Sequence, residues 1–159
     1  MGFSFKYIYI FFAAFIFLGF TVDRNVFYKT LSGGDLTQLK SYISQLEKEK
    51  TTATNNAYWG ALTAKKANFE KGASQKIKTF KAGVKKLELE ITNHPKNVEY
   101  RFLRLSIQEH CPKILKYNKN ITDDALLISN GFAKQNSTLK KIIRKYAQQS
   151  KGLDSKLLK

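Results

Sequence analysis

Gln75-Lys76-Ile77-Lys78-Thr79-Phe80-Lys81-Ala82-Gly83-Val84-Lys85-Lys86-Leu87-Glu88-Leu89-Glu90-Ile91 decides the fold class of this chain. Ile77, Phe80, Val84, Leu87 and Ile91 recur at steps of three, four, three and four residues, which is one face of an amphipathic α-helix. Lys76, Lys78, Lys81, Lys85 and Lys86 cover the flanks. Working outward, Lys71-Gly72-Ala73-Ser74 precedes this helix, with Ser74 expected as its cap, and Asn93-His94-Pro95-Lys96-Asn97 ends it. Asn97 is then positioned to cap a helix running from Val98 to Cys111.

That next helix carries two apolar stripes, Val98-Phe102-Leu105 and Tyr100-Leu103-Ile107, so it packs on two sides and belongs in the middle of the stack. Arg101, Arg104 and Gln108 share its polar side. Two readings apply to this ridge: a solvated face, or a partner-binding grip on a carboxylate or phosphate. Glu109 falls beside the first stripe and is expected to be partly buried, paired with a tyrosine or lysine.

The remaining helices follow from the same spacing. Asn25 to Leu31 forms a short segment broken by Ser32-Gly33-Gly34. Asp35 with Gln38 makes a capping-box arrangement ahead of Leu36, Leu39, Ile43 and Leu46, a helix ending near Lys50. After a turn at Thr51-Thr52-Ala53-Thr54 comes a helix from about Asn55 to Phe69. Ala57, Gly60, Ala61, Ala64 and Ala67 give it one small-residue side, suited to a close neighbour, with Tyr58, Leu62 and Phe69 on another. Pro112 stops the Val98 helix, and Ile114, Leu115 and Tyr117 in the connector are available to pack. Thr122 with Asp123 and Asp124 begins a sixth helix, its acids suited to the positive end of the dipole. Asn130-Gly131 interrupts it. Asn136 or Ser137 caps a seventh with Leu139, Ile142, Ile143 and Tyr146 as its stripe, expected to be buried with only charge facing out. Residues 151–159 read as a flexible, basic tail.

At the other end, Lys6 leads a run of sixteen residues, Tyr7 to Val22, without a charge. A short cationic lead before such a run is the layout of a secretory signal, and Gly19-Phe20-Thr21 offers small residues at the −3 and −1 positions of a cleavage site. The run is short of the roughly 20 residues that span a bilayer, yet an uncleaved anchor and a buried helix remain alternatives to a cleaved signal. On this reading residues 1–22 are signal or membrane anchor, residues 23–150 a helical domain, and the protein is exported to the periplasm or cell envelope.

Ala57-Tyr58-Trp59-Gly60-Ala61-Leu62 resembles the first helix of a tetratricopeptide repeat, and Asn93-His94-Pro95-Lys96-Asn97-Val98 resembles the proline-containing turn between repeats. The spacing from Gly60 to Pro95 exceeds that repeat. Together with Asn97 to Gln108, these stretches are similar to a family of small exported bacterial proteins of unknown function with TPR-like helices, over roughly Phe27 to Tyr117. The resemblance implies an all-α fold of stacked antiparallel hairpins, bundle-like or solenoid-like, and carries no activity.

Chemistry is sparse. The two histidines, His94 and His110, and the single cysteine, Cys111, supply no recognisable triad. A lone cysteine excludes an intrachain disulfide. Asp123-Asp124 is the only adjacent acidic pair, and no phosphate loop, G-x-S-x-G or H-E-x-x-H motif occurs. The formal charge is +16, of which about +15 belongs to residues beyond 22, and such a surface attracts polyanions. The lysines are spread evenly, as solvated faces would be. The expectation is therefore a monomeric, non-enzymatic adaptor without catalytic, cofactor or metal residues, binding a protein partner. The alternative is electrostatic binding to an anionic polymer or membrane surface, with no specific nucleic acid expected.

Overall fold

The computed structural model describes residues 23–159. The apolar run expected to be signal or anchor, residues 1–22, lies outside the described residues. The described residues are all-helical, with seven α-helices, four short 3-10 turns and no strand.

Side-chain caps set most of the helix starts. Asp23 accepts from the backbone N–H groups of Asn25 (2.7 Å) and Val26 (3.3 Å) to open α1, Arg24–Gly33. Asp35 accepts from Gln38 N–H at 2.8 Å to open α2, Leu36–Lys48. Thr52 accepts from Asn55 N–H at 3.0 Å, so α3, Ala53–Lys66, takes in two residues of the expected turn. In α4, Ala73–Asn93, the cap position falls to Gly72 at φ 79°, and Ser74 lies inside the first turn. Only glycine takes that φ without strain, which fixes the cap two residues ahead of Ser74. Asn97 caps α5, Val98–His110, through Tyr100 N–H at 3.1 Å. Asn136 caps α7, Ser137–Ala147, through Leu139 N–H at 2.9 Å, and between them lies α6, Ile121–Gly131.

The strip of small residues on α3 meets α4, and the two backbones nearly touch. A Cβ placed on Gly60 would lie 2.8 Å from the carbonyl oxygen of Gly83, and one placed on Gly83 would lie 2.4 Å from the Ala64 nitrogen. α2 lies against α3 from another side, so α3 is held between neighbours as its small side chains imply. α5 packs on α3, α4 and α6, while α1 reaches across to α7.

The main core joins both ends of the described chain. Phe27 of α1 stacks on Tyr58 of α3 with centroids 3.6 Å apart, and Phe102, Leu105, Ile128 and Ile143 close in from α5, α6 and α7. A smaller cluster holds Ala64, Ala67, Phe80 and Val84, with Tyr117 edge-on to Phe80 at 5.5 Å. Phe80 and Phe102 thus belong to separate clusters. On α7, Leu139 and Ile143 are buried and Ile142 and Tyr146 pack partly against the core. The tail departs most from expectation: Leu153 and Leu158 are buried in the main core. Two leucines in a short basic segment are enough apolar surface to dock it. Phe69 and Ile114, expected to pack, are 42% and 85% exposed, each within or beside a 3-10 turn whose three-residue period turns them off the helix stripe. No helix among the described residues is long and apolar enough to cross a membrane.

The near-contact of α3 and α4 predicts opposite outcomes at two glycines. Gly83→Ala drives a methyl into the α3 backbone and should cost on the order of 1–3 kcal/mol in urea unfolding. Gly33→Ala meets nothing within 4 Å and should be neutral or stabilising by up to about 1 kcal/mol. Unchanged stability in Gly83→Ala would refute the close approach.

Candidate functional site

The polar ridge of α5 is turned inward by the docking of α6. Arg104 is buried, and its Nε and Nη2 reach the two carboxylate oxygens of Asp124 at 2.7 and 2.6 Å, while Nη1 reaches Glu88 at 2.8 Å. Arg101 adds Nη1 to the same carboxylate at 3.1 Å and spends Nε on the Pro95 carbonyl at 3.0 Å. Gln108 is buried too. Its Nε2 donates to Asn120 at 3.4 Å, and its Oε1 has no partner among the described residues. The ridge does grip a carboxylate, and that carboxylate is Asp124, fully buried in the first turn of α6. A solvated ridge is excluded for Arg104 and Gln108. The dipole reading of Asp124 misses its main role, since two guanidinium groups neutralise it directly. Burial opposes the Arg104 charge, and the hydrogen bonds and charge of Asp124, then Glu88, more than offset it. Glu88 also accepts from the Tyr117 hydroxyl, whose pKa is pushed up first by burial and then by Glu88.

Two carboxylates of α5 itself work the same way. Glu99 receives Arg24 through two bonds of 2.8 and 2.9 Å, Tyr58 at 2.6 Å and Tyr28 at 3.3 Å, tying α5 to α1 and α3. Burial, followed by the Glu99 charge, raises the pKa of both tyrosines. Glu109 receives the Tyr146 hydroxyl, Ser150, and the N–H groups of Lys151 (2.9 Å) and Gly152 (2.6 Å). Burial acts to raise the Glu109 pKa, but these four donors together lower it. The expected pairing of Glu109 with a tyrosine is present, and the tail supplies the rest.

On the opposite side of α5 lies a cleft of about 910 Å³, bounded by α1, the end of α3, the start of α4, α5 itself, the 111–115 segment and α7. Ile77, Phe80, Ile107, Leu115 and Ile142 contribute its apolar wall. Lys29, Lys65, Lys76 and Lys145 also line it, and no aspartate or glutamate does. Lys65 is half-buried, donates to the Ser32 carbonyl at 3.3 Å, and has its pKa lowered by burial. Cys111 and His110 lie in the same wall. Burial raises the Cys111 thiol, which reduces the thiolate that nucleophilic chemistry needs. Among the described residues no group of three or more His, Cys, Asp or Glu is placed to hold a metal.

Arg101, Arg104 and Gln108 therefore sit together but away from the cleft, on the far side of the same helix. Sequence reasoning missed the cleft because Ile77 extends a core stripe, yet it is 38% exposed.

Two predictions follow from the carboxylates packed around α5. Asp124→Asn leaves buried guanidinium charge short of its partner and should cost about 3–5 kcal/mol in chemical unfolding. The exposed neighbour Asp123→Asn should stay within about 0.5 kcal/mol of the parent. Equal effects would remove Asp124 from the role assigned here. For Glu109, the folded pKa is lowered, so its stabilisation is present above the ordinary value of about 4.3 and is lost as pH falls through the folded value. Glu109→Gln should flatten the acid limb of stability against pH, and an unaltered slope would contradict the assignment.

Compared with family models, with curated proteins and with solved structures, the chain finds no match.

Proposed function

We propose that this chain is a non-enzymatic, exported binding protein whose hairpins stack in a TPR-like manner and whose working surface is the cleft. Its role is that of an adaptor: a partner protein inserts an apolar segment, and acidic residues beside that segment meet the lysine rim. The supporting observation is the lining itself, an apolar wall with four lysines and no carboxylate. Binding sites of roughly 300–1,000 Å³ are mostly apolar with a few polar groups that fix orientation, and this cleft has that make-up. The arginine ridge takes part indirectly, by holding α6 against α5 and so keeping the opposite wall in place.

A second reading, electrostatic attachment to an anionic polymer or membrane surface, is favoured by the outer face of α7. Lys140, Lys141, Arg144 and Lys145 project there, with Lys140 and Arg144 over the Phe132 ring at 5.9 and 4.9 Å. Such attachment weakens steeply with salt, whereas a segment seated on apolar wall does not.

A photoreactive amino acid at Ile77, irradiated in native envelope at low and high salt, tests the adaptor role. Discrete protein adducts should form from Ile77 and persist in salt, and none should form from Leu126, which is 62% exposed but outside the cleft. Identical adducts from both positions, or adducts lost at high salt, would overturn it.

A further inference from the structure

The cleft combines three features that together specify a ligand more narrowly than an apolar segment. Its volume, about 910 Å³, lies in the range of small-molecule sites. Its wall offers aliphatic and aromatic carbon from five α-helices and the 111–115 segment. Its charge is of one sign, and the four lysines are not equivalent: Lys29, Lys76 and Lys145 are exposed, whereas Lys65 is half-buried. A half-buried ammonium has lost part of its hydration and, among the described residues, has only the Ser32 carbonyl in return. An anion delivered beside it by an apolar body would restore that loss through a charge-assisted hydrogen bond.

We propose that the cleft binds a long-chain fatty acid, its single acyl chain laid against Ile77, Phe80, Ile107 and Ile142 and its carboxylate paired with Lys65. The assignment rests on the reading of the cleft as the working surface and names its occupant. An apolar chain without a charge would bury the same carbon but leave Lys65 unsatisfied. A free carboxylate without a chain would compete with water at three exposed lysines and gain little, as exposed ion pairs do. The exposed lysines supply a general attraction at the mouth, sensitive to salt, and the wall supplies retention.

The test titrates cis-parinarate into the full chain and follows its fluorescence. Saturable binding of one molecule per chain is expected, reversed by palmitate, with hexadecanol and lysophosphatidylcholine weaker competitors by roughly tenfold or more because neither delivers a carboxylate to Lys65. Ile77→Asp, which puts a like charge on the apolar wall at a surface-accessible position, and Lys65→Met, which keeps the stem and removes the charge, should each weaken binding by about tenfold or more. Lys78→Ala, outside the cleft, should not. Circular dichroism of each variant separates lost binding from lost fold. Absence of saturable binding, equal displacement by hexadecanol, or parent-like affinity in both cleft variants would overturn the proposal. Protein adducts at Ile77 without parinarate binding would remove the fatty acid and leave the adaptor role. Parinarate binding without such adducts would do the reverse.

Discussion

The fold depends on the enclosure of α5. A helix with apolar stripes on two sides keeps little wet surface once a third neighbour docks, so the charges buried with it must be answered inside the protein. Arg104 is answered by Asp124 and Glu88, Glu99 by Arg24 and two tyrosines, and Glu109 by Tyr146 and the tail. Each answer comes from a different part of the chain. The three sites therefore act as registration points: α6, the pair α1 and α3, and the tail can each dock on α5 in one orientation only. Apolar packing alone would tolerate rotation or sliding of helices; paired charges in a low-dielectric interior do not.

Much of this architecture is legible in the sequence. The stripes of Leu39, Ile43 and Leu46, of Phe80, Val84, Leu87 and Ile91, and of Leu139 and Ile143 all point inward as their periodicity requires. Asp35, Asn97 and Asn136 cap where their side chains favour it. These features depend on residues within a turn or two of one another, so local spacing is sufficient. What escapes is set by partners far along the chain. Arg104 looks like a surface residue until α6 is known to lie on it, and Asp124 looks like a dipole acid until two guanidinium groups face it. Leu153 and Leu158 carry no periodic signal because they sit in an irregular segment, and only a gap in the core gives them a place. The cleft is invisible for the complementary reason, since an unfilled space between helices leaves no pattern in any one of them.

The tight and the open regions of the molecule have a common origin in side-chain size. Where α3 presents Gly60 and Ala64, α4 approaches until Gly83 meets the opposing backbone. Farther along the same pair, Phe80 and Ala67 join a smaller cluster that borders the cleft. Glycine and alanine seal the first region. In the second, Ile77 and Ile107 form wall instead of seal, because among the described residues no third helix fills the space between them.

The anchoring of the last residues has a consequence for biosynthesis. Leu158 lies in the same core as Phe27, and Glu109 holds the backbone N–H groups of Lys151 and Gly152. A chain emerging from the ribosome amino end first cannot complete that core until Leu158 has emerged, nor settle the Glu109 carboxylate until Gly152 has. Closure thus waits on Leu153 and Leu158, and until they arrive the polypeptide remains an unfinished stack, extensible enough to be threaded, captured or degraded before it locks.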